Sequence, residues 1–583
     1  MVKLEVHTIF IFILMFRKTA NIRFIHLIVF VLLSIFLLGC GKDEIFYVTP
    51  NYSDDVDNID FDRTITIVYS TSGDATVDGV SSDFTVTIDG NDVTIVNAGS
   101  DVVKYELSGT TTNGRLKLYS PNVQAIVLNG VNITHSNGAA INIQGQTSYP
   151  GNAKRTFIIT QSGSSLTDGS SYTETPSGED EKACVFSEGP LIFSGSAALT
   201  VTAKGNAGIV SDDYINFYTG TSLKVTSSAG HGVRGKDYII VTDGTIDVDV
   251  SANMKKGFSS DSLICFNGGT TSINVTGGAA YDSDDKEYKG TAGVKADVAF
   301  IMTGGILTIT NSGSGGKGIS CDGTGTFTGG TVNVTTTGSN YGSGNNSVSA
   351  KGMKFDGNLV FGGSTVTVNC TAHEAIESKG TIDIIGGIVY SYSAADDAIN
   401  SGSTFTISGG YVYAQAVKND GLDANGDFYL KGGVIYAIGA QSPEVAVDAL
   451  EKCTLNVEGG TIIAIGGLEQ GASLTQSCYQ ASSWSADKWY ALTIGSTIYT
   501  FKTPSSGGTP LVVSGASTPT LTYGVSYSGG TSYFNGIMYI DASVSGGTSV
   551  TLNSYSGGSG GGGGGGNPPS GGGGGGGNPP SGH

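Results

Sequence analysis

The 583-residue chain holds 91 glycines, 13 prolines and 14% charged residues, with a formal net charge of −20. An acidic chain with no basic stripe cannot neutralise a phosphate backbone, so nucleic acid is excluded as a partner. Short runs of Thr, Ser, Val and Ile between glycines, with no amphipathic helical stretch after residue 40, place the chain in the all-β class.

At the N-terminus, Arg17, Lys18 and Arg23 precede an apolar run from Ile25 to Leu38, followed by Gly39 and Cys40. A basic segment, an apolar segment and a small residue before cysteine describe a secretory signal. The Leu37-Leu38-Gly39-Cys40 ending resembles a lipobox, which predicts a signal peptide over 1–39, lipidation of Cys40 and a linker over 40–60. Arg17, Lys18 and Arg23 break the apolar stretch that begins near Ile9, so neither half is long enough to span a bilayer. Gly41-Lys42-Asp43-Glu44 resembles the signal that sends some lipoproteins to the cell surface, giving an outer-membrane or surface location as the expectation, with the lipid as the only membrane contact. Met15 is a second candidate start.

Residues 61–125 alternate as strands with turns at Asp89-Gly90 and Asn113-Gly114, an expected N-terminal β cap. From 126 to 470 two signatures recur. One is Gly-Gly followed by alternating apolar residues, at Gly304-Gly305, Gly329-Gly330, Gly362-Gly363, Gly386-Gly387, Gly409-Gly410, Gly432-Gly433 and Gly459-Gly460. The other is small–apolar–any–small, as in Gly318-Ile-Ser-Cys321, Ala375-Ile-Glu-Ser378, Ala398-Ile-Asn-Ser401 and Gly421-Leu-Asp-Ala424. A period of roughly 23–25 residues carrying two or more strands is one coil of a right-handed parallel β-helix, each coil adding about 4.8 Å. Two longer gaps mark insertions near Asp282–Lys289 and Gly338–Ser347. Residues 471–555 lose the repeat and read as a C-terminal β domain, and 556–583 as a Gly-rich disordered tail. Apart from Cys40 the six cysteines are scattered, which predicts buried thiols rather than zinc ligands.

Strand alternation turns other columns outward. One reads Glu377, Asn400, Asp423, Asp448; a second, just before the small residue, reads Glu374, Asp397, Asp420, with Asp396 and Glu444 nearby. Stacked carboxylates about 5 Å apart repel, and Ca2+, which accepts 6–8 oxygen ligands, is the natural counter-ion. A solvated acidic edge is the alternative. Earlier coils carry His231, Arg234, Lys256, Lys295, Lys317, Lys351 and Lys354 in the same columns, faced by Asp261, Asp297, Asp322 and Asp356. Lys–Asp ladders account for these, and a groove for a uronate-rich glycan is the sharper reading. Tyr390, Tyr413 and Tyr436 form an aromatic column that stacks on sugar rings, on itself, or beneath the C-terminal domain. Lys379 and Lys418 lie in the acidic region as glycan contacts or ion-pair partners.

Segments such as Ala350-Lys-Gly-Met-Lys-Phe-Asp-Gly357, His373-Glu-Ala-Ile-Glu-Ser-Lys-Gly380, Asp396-Asp-Ala-Ile-Asn-Ser401 and Asn419-Asp-Gly-Leu-Asp-Ala-Asn-Gly426 resemble the clostridial-type cellulose- and pectin-binding β-helix family. These proteins are labelled carbohydrate-binding domain-containing proteins and are similar to calcium-dependent polysaccharide lyases. The resemblance covers about residues 61 to 555. It implies bound calcium at Glu374, Glu377, Asp396, Asp397, Asp420 and Asp423, and affinity for cellulose and polygalacturonate. Ala207, Ala375 and Ala398 stand where the family more often has an acid or a glycine.

The expected function is therefore non-catalytic, calcium-assisted binding of acidic polysaccharide, or of cellulose, by a monomer at the cell surface. Two alternatives stand beside it. One is pectate-lyase-like chemistry with Lys379 or Lys418 as base. The other is a surface adhesin without glycan affinity.

Overall fold

The computed structural model describes residues 54–145, 154–173 and 178–557. The signal segment with Cys40, most of the linker after it and the tail beyond Gly557 lie outside the described residues.

Glycine placement explains why the chain turns where it does. In the Gly-Gly pairs other than Gly362-Gly363 the second residue adopts positive φ, +82° at Gly387, +80° at Gly410 and +83° at Gly433, a conformation that strains any residue with a Cβ. The first is held by close approach: a Cβ on Gly409 would lie 2.4 Å from the carbonyl oxygen of Ile385 on the strand-turn below. Each pair therefore marks a corner where two successive layers of backbone touch.

Between such corners run three parallel ladders, visited in rotation. Ile376–Ser378, Ile399–Ser401 and Leu422–Ala424 pair in register in the first ladder. Ile382–Ile384, Phe405–Ile407 and Phe428–Leu430 form the second. Ile388–Ser393, Tyr411–Ala416 and Val434–Ile438 form the third. The described residues are all-β, with long parallel sheets, short 3-10 turns and no α-helix. Parallel pairing begins earlier than the sequence suggested. Arg63–Tyr69 already pairs in parallel with Val103–Thr111, and Asn91–Asn97 with Gly114–Tyr119. The stretch expected as a separate cap thus joins the array, and Thr76–Asp78 and Phe84–Asp89 are its antiparallel edge strands. After Ser473–Leu474 the named strands pair antiparallel, in a layer built around Trp489–Ile494 and Thr497–Lys502.

The inward positions hold one continuous apolar column. Phe193 stacks on Phe217 at 5.3 Å between ring centroids, Phe327 on Phe361 at 5.1 Å and Phe405 on Phe428 at 4.4 Å. Inward serines satisfy themselves on neighbouring turns: the Ser378 hydroxyl donates to the Gly357 carbonyl at 2.8 Å, and Ser401 to Gly380 at 3.2 Å. The six described cysteines are free; all are buried except Cys453, which is half-buried.

Candidate functional site

The first ladder presents one outward column whose chemistry changes along its length. Backbone register aligns Lys256, Ala292, Lys317 and Lys351 on successive strands. The turns that follow place Glu374, Asp397 and Asp420 in the same column, each carbonyl accepting from the coil before it. The neighbouring column reads Arg234, Ser259, Lys295, Ser320, Lys354, Glu377, Asn400 and Asp423. Isolated bridges from Leu422 to Val447 and from Val447 to Leu468 extend it past Asp448 to Glu469. The sequence-derived acidic columns are therefore real columns in space, but they divide into two chemically different clusters.

In the first cluster the protein supplies its own cations. Lys351 Nζ lies 3.0 Å from Glu374 Oε2 and 2.6 Å from Glu377 Oε2. His373 Nδ1 pairs with Glu374 and lies 2.7 Å from Asp396 Oδ2. Burial alone would raise the Glu374 carboxyl, but His373 and Lys351 overcome it and hold its pKa at about 2. Burial likewise opposes the His373 cation, yet Asp396 and Glu374 lift its pKa to about 9. Glu374 and Glu377, expected as calcium ligands, are thus engaged by an ammonium and an imidazolium.

In the second cluster nothing plays that part. Ligand oxygens of Asp420, Asp423 and Asp448 all lie within 4.8 Å of one another. Among the described residues no Lys, Arg or His lies within ion-pair distance of the three. Burial, then the charges of Asp448, Asp397 and Glu444, push Asp420 up to about 8, against one stabilising bond from the Val445 N–H at 2.6 Å. Burial and the charges of Asp397, Asp448 and Asp420 push Asp423 up to about 9. Asp397, 4% exposed, rises to about 7 through burial and the Asp396 charge, while Asn400 Nδ2 at 3.1 Å and the Asp420 N–H at 3.0 Å partly offset this. Asn419 Nδ2 donates to Asp396 at 2.8 Å. Glu469, beside Asp448, rises to about 7 through burial and the Asp448 contact.

The remaining expectations fare differently. Tyr390 and Tyr413 do stack, 4.8 Å apart and 10° from parallel, but the column runs under the C-terminal antiparallel layer. Tyr413 is 2% exposed and Tyr436 fully buried, its hydroxyl donating to the Lys502 carbonyl at 2.9 Å. Neither ring offers a face to a sugar, which corrects their placing as glycan contacts; Tyr390 is half-buried at the margin of the same cluster. Lys379 pairs with Asp356 at 2.9 Å, and that contact raises its pKa, the opposite of what a proton-abstracting lysine needs. Lys418 is exposed.

Sequence reading missed two members of this region, His373 and Glu469, and the pairing of a third, Lys351. Lys351 stands one period before Glu374, but the change of sign hid the pair. His373 lies outside both columns. Glu469 follows Gly467-Leu468 in the same small–apolar–any pattern, and that signal was available.

A family model described as carbohydrate-binding domain-containing protein matches residues 89–262 and 250–398, together more than half of the chain. The matched stretch contains the His373–Glu374–Asp396 cluster and ends before Asp420. No curated protein matches the sequence. Among solved structures, a polysaccharide lyase-like protein from C. thermocellum, determined as a gadolinium derivative, is similar with 19% identity and a TM-score of 0.33. The alignment covers 52% of this chain and 97% of that one.

Proposed function

Since the chain belongs to the family of carbohydrate-binding domain-containing proteins, we propose that it binds acidic polysaccharide non-catalytically, with calcium held by Asp420, Asp423 and Asp448 as the bridge. The observation that carries this reading is the set of three carboxylates gathered within 4.8 Å without a cation. Like charges so placed repel, and burial together with that repulsion raises the pKa of two of the three acids. A hard divalent ion with flexible oxygen coordination removes that repulsion, and the donors are all carboxylate, as calcium prefers. Asp397, Glu444 and Glu469 are close enough in charge to strengthen the site. Calcium so held would supply a positive charge for the carboxylate of a uronate.

The three ladders, visited in rotation every 23 to 25 residues, support a right-handed β-helix, since crossovers between parallel strands are right-handed almost without exception. Cys40 supports anchoring to a membrane by lipid, with the binding face carried outside the cell. The protein needs no catalytic base for this function, and the raised pKa of Lys379 agrees with that.

Retention of the protein on polygalacturonate and on cellulose, with calcium and with chelator, tests the proposal. Calcium-dependent retention on polygalacturonate without the ultraviolet absorbance of an unsaturated uronide is the expected result. Appearance of that absorbance would move the protein to the lyases, and absence of retention on either polymer would leave a surface scaffold.

A further inference from the structure

Upstream on the same ladder lies a cleft of about 430 Å³, framed by Lys256–Ser260, Ala292–Ala296, Lys317–Cys321 and the inserted hairpin Ala280–Asp282 with Glu287–Lys289. The second insertion abuts this hairpin through Tyr288 and Tyr341, 5.6 Å apart, so the wall is braced from outside. Most of the cations here are already matched. Arg234 Nη2 reaches both oxygens of Asp261 at 2.7 Å. Lys295 pairs with Asp297 at 2.9 Å and Asp322 at 2.6 Å. Lys289 is held by Asp282, Asp285 and Glu287 of its own hairpin.

Two lysines are not matched. Lys256 Nζ reaches only the carbonyl oxygens of Met254 and Gly290, at 2.5 and 3.1 Å. Lys317 has no carboxylate within ion-pair distance among the described residues. Burial and their neighbouring lysines hold both down to about 8. His231 Nδ1 accepts from the Lys256 N–H at 3.1 Å, so its ring is neutral and its other nitrogen carries the proton. Partly buried ammonium groups that repel one another and lack a counter-ion are costly to the free protein, and an incoming anion removes that cost.

We propose that this cleft is a metal-independent subsite for an oxyanion carried on a glycan, a uronate carboxylate, with Lys256 and Lys317 as its counter-ions and His231 as a neutral donor. The class of ligand rests on the glycan-binding reading above, whereas the site does not involve calcium. Four strand spacings, about 19 Å, separate the Lys317 strand from the Asp423 strand. A polyuronate lying along the ladder meets free ammonium groups at one end and a metal bridge at the other.

The test is a calorimetric titration of the full-length protein with trigalacturonate in excess chelator, beside neutral cellotriose and a sulfated disaccharide. Wild type should bind trigalacturonate, and Lys256→Met and Lys317→Met should each weaken it by at least about tenfold, as loss of one partner of a desolvated charge pair does. Calcium affinity should be unchanged in both. Methionine removes an unmatched charge at similar volume, so the fold should hold, and Lys317→Gln is the second variant if a thermal melt says otherwise. No binding in chelator, or binding that the variants leave unaltered, overturns the subsite while leaving the calcium bridge untouched. Tighter binding of the sulfated sugar overturns the assignment to a uronate. Loss of calcium binding with chelator-resistant trigalacturonate binding intact would instead overturn the calcium bridge alone.

Discussion

Two acidic clusters sit on one ladder, two strands apart, and they behave in opposite ways. Around Glu374 the carboxylates meet Lys351 and His373, and the Glu374 pKa falls to about 2. Around Asp423 they meet only each other, and the pKa of that group climbs to about 9. Both clusters arise from the same repeat position and bury their acids to a similar extent. The difference is what stands on the preceding coil: a lysine for Glu374, another aspartate for Asp420. The number of acids in a column therefore says little about their protonation. What matters is whether the column contains its own counter-charge.

Breaking the first cluster gives the largest expected effect. Lys351 is 8% exposed, and Lys351→Met leaves Glu377 without its cation and Glu374 with His373 alone. Removing one partner of a buried pair costs about 3–5 kcal/mol, to be read by urea denaturation in chelator. The variant moves the first cluster toward the second, with His373 as its remaining cation, so calcium should recover part of the loss and the calcium stoichiometry should rise by one. A stability equal to wild type would mean that the pair is not what holds these acids.

Asp423→Asn acts with the opposite sign. It relieves repulsion, so the metal-free protein should become more stable while calcium affinity falls by at least about 10–100-fold, the range seen for lesser disturbances of metal sites. Calorimetry and thermal melts in chelator report the two effects separately.

The clusters also answer pH differently. Asp420 and Asp423 have folded pKa values of about 8 and about 9, above the unfolded value of about 3.9. The folded state therefore binds more protons across that window, and stability falls as pH rises through it. Glu374, depressed to about 2, contributes stability that is present above its unfolded value and lost as pH falls toward about 2. His373, raised to about 9, contributes stability that is present below about pH 6.5 and lost as pH rises through about 9. In chelator the melting temperature should thus peak in mildly acidic solution and decline toward pH 9. Calcium should flatten the alkaline decline, and a decline unaffected by calcium would contradict the assignment of the second cluster.

The smallest effect is expected at Lys379. Its side chain is 56% exposed, and its ion pair with Asp356 shares that carboxylate with Lys354. Lys379→Ala should change stability by no more than about 1 kcal/mol and leave polygalacturonate retention intact.

Much of this was legible from spacing. The Gly-Gly corners and the small–apolar–any–small strands predicted both the period and the outward columns, because a parallel ladder turns equal sequence offsets into equal positions in space. Less legible was anything decided across the chain. Tyr413 and Tyr436 sit in an outward column by alternation, yet the C-terminal layer packs Phe534 and Phe501 over them. The N-terminal strands lack the repeat signature but pair in parallel all the same, since backbone hydrogen bonding does not require it. The division of the acids was legible in principle, because Lys351 precedes Glu374 in the same column. It was lost where the columns were read one sign at a time.

The most direct measurement is a calorimetric titration of calcium into chelator-stripped wild-type, Asp423→Asn and Lys351→Met proteins. Wild type should bind calcium, Asp423→Asn should lose a site, and Lys351→Met should gain one. Equal stoichiometry and affinity in all three would contradict this, because calcium would then be bound at neither cluster.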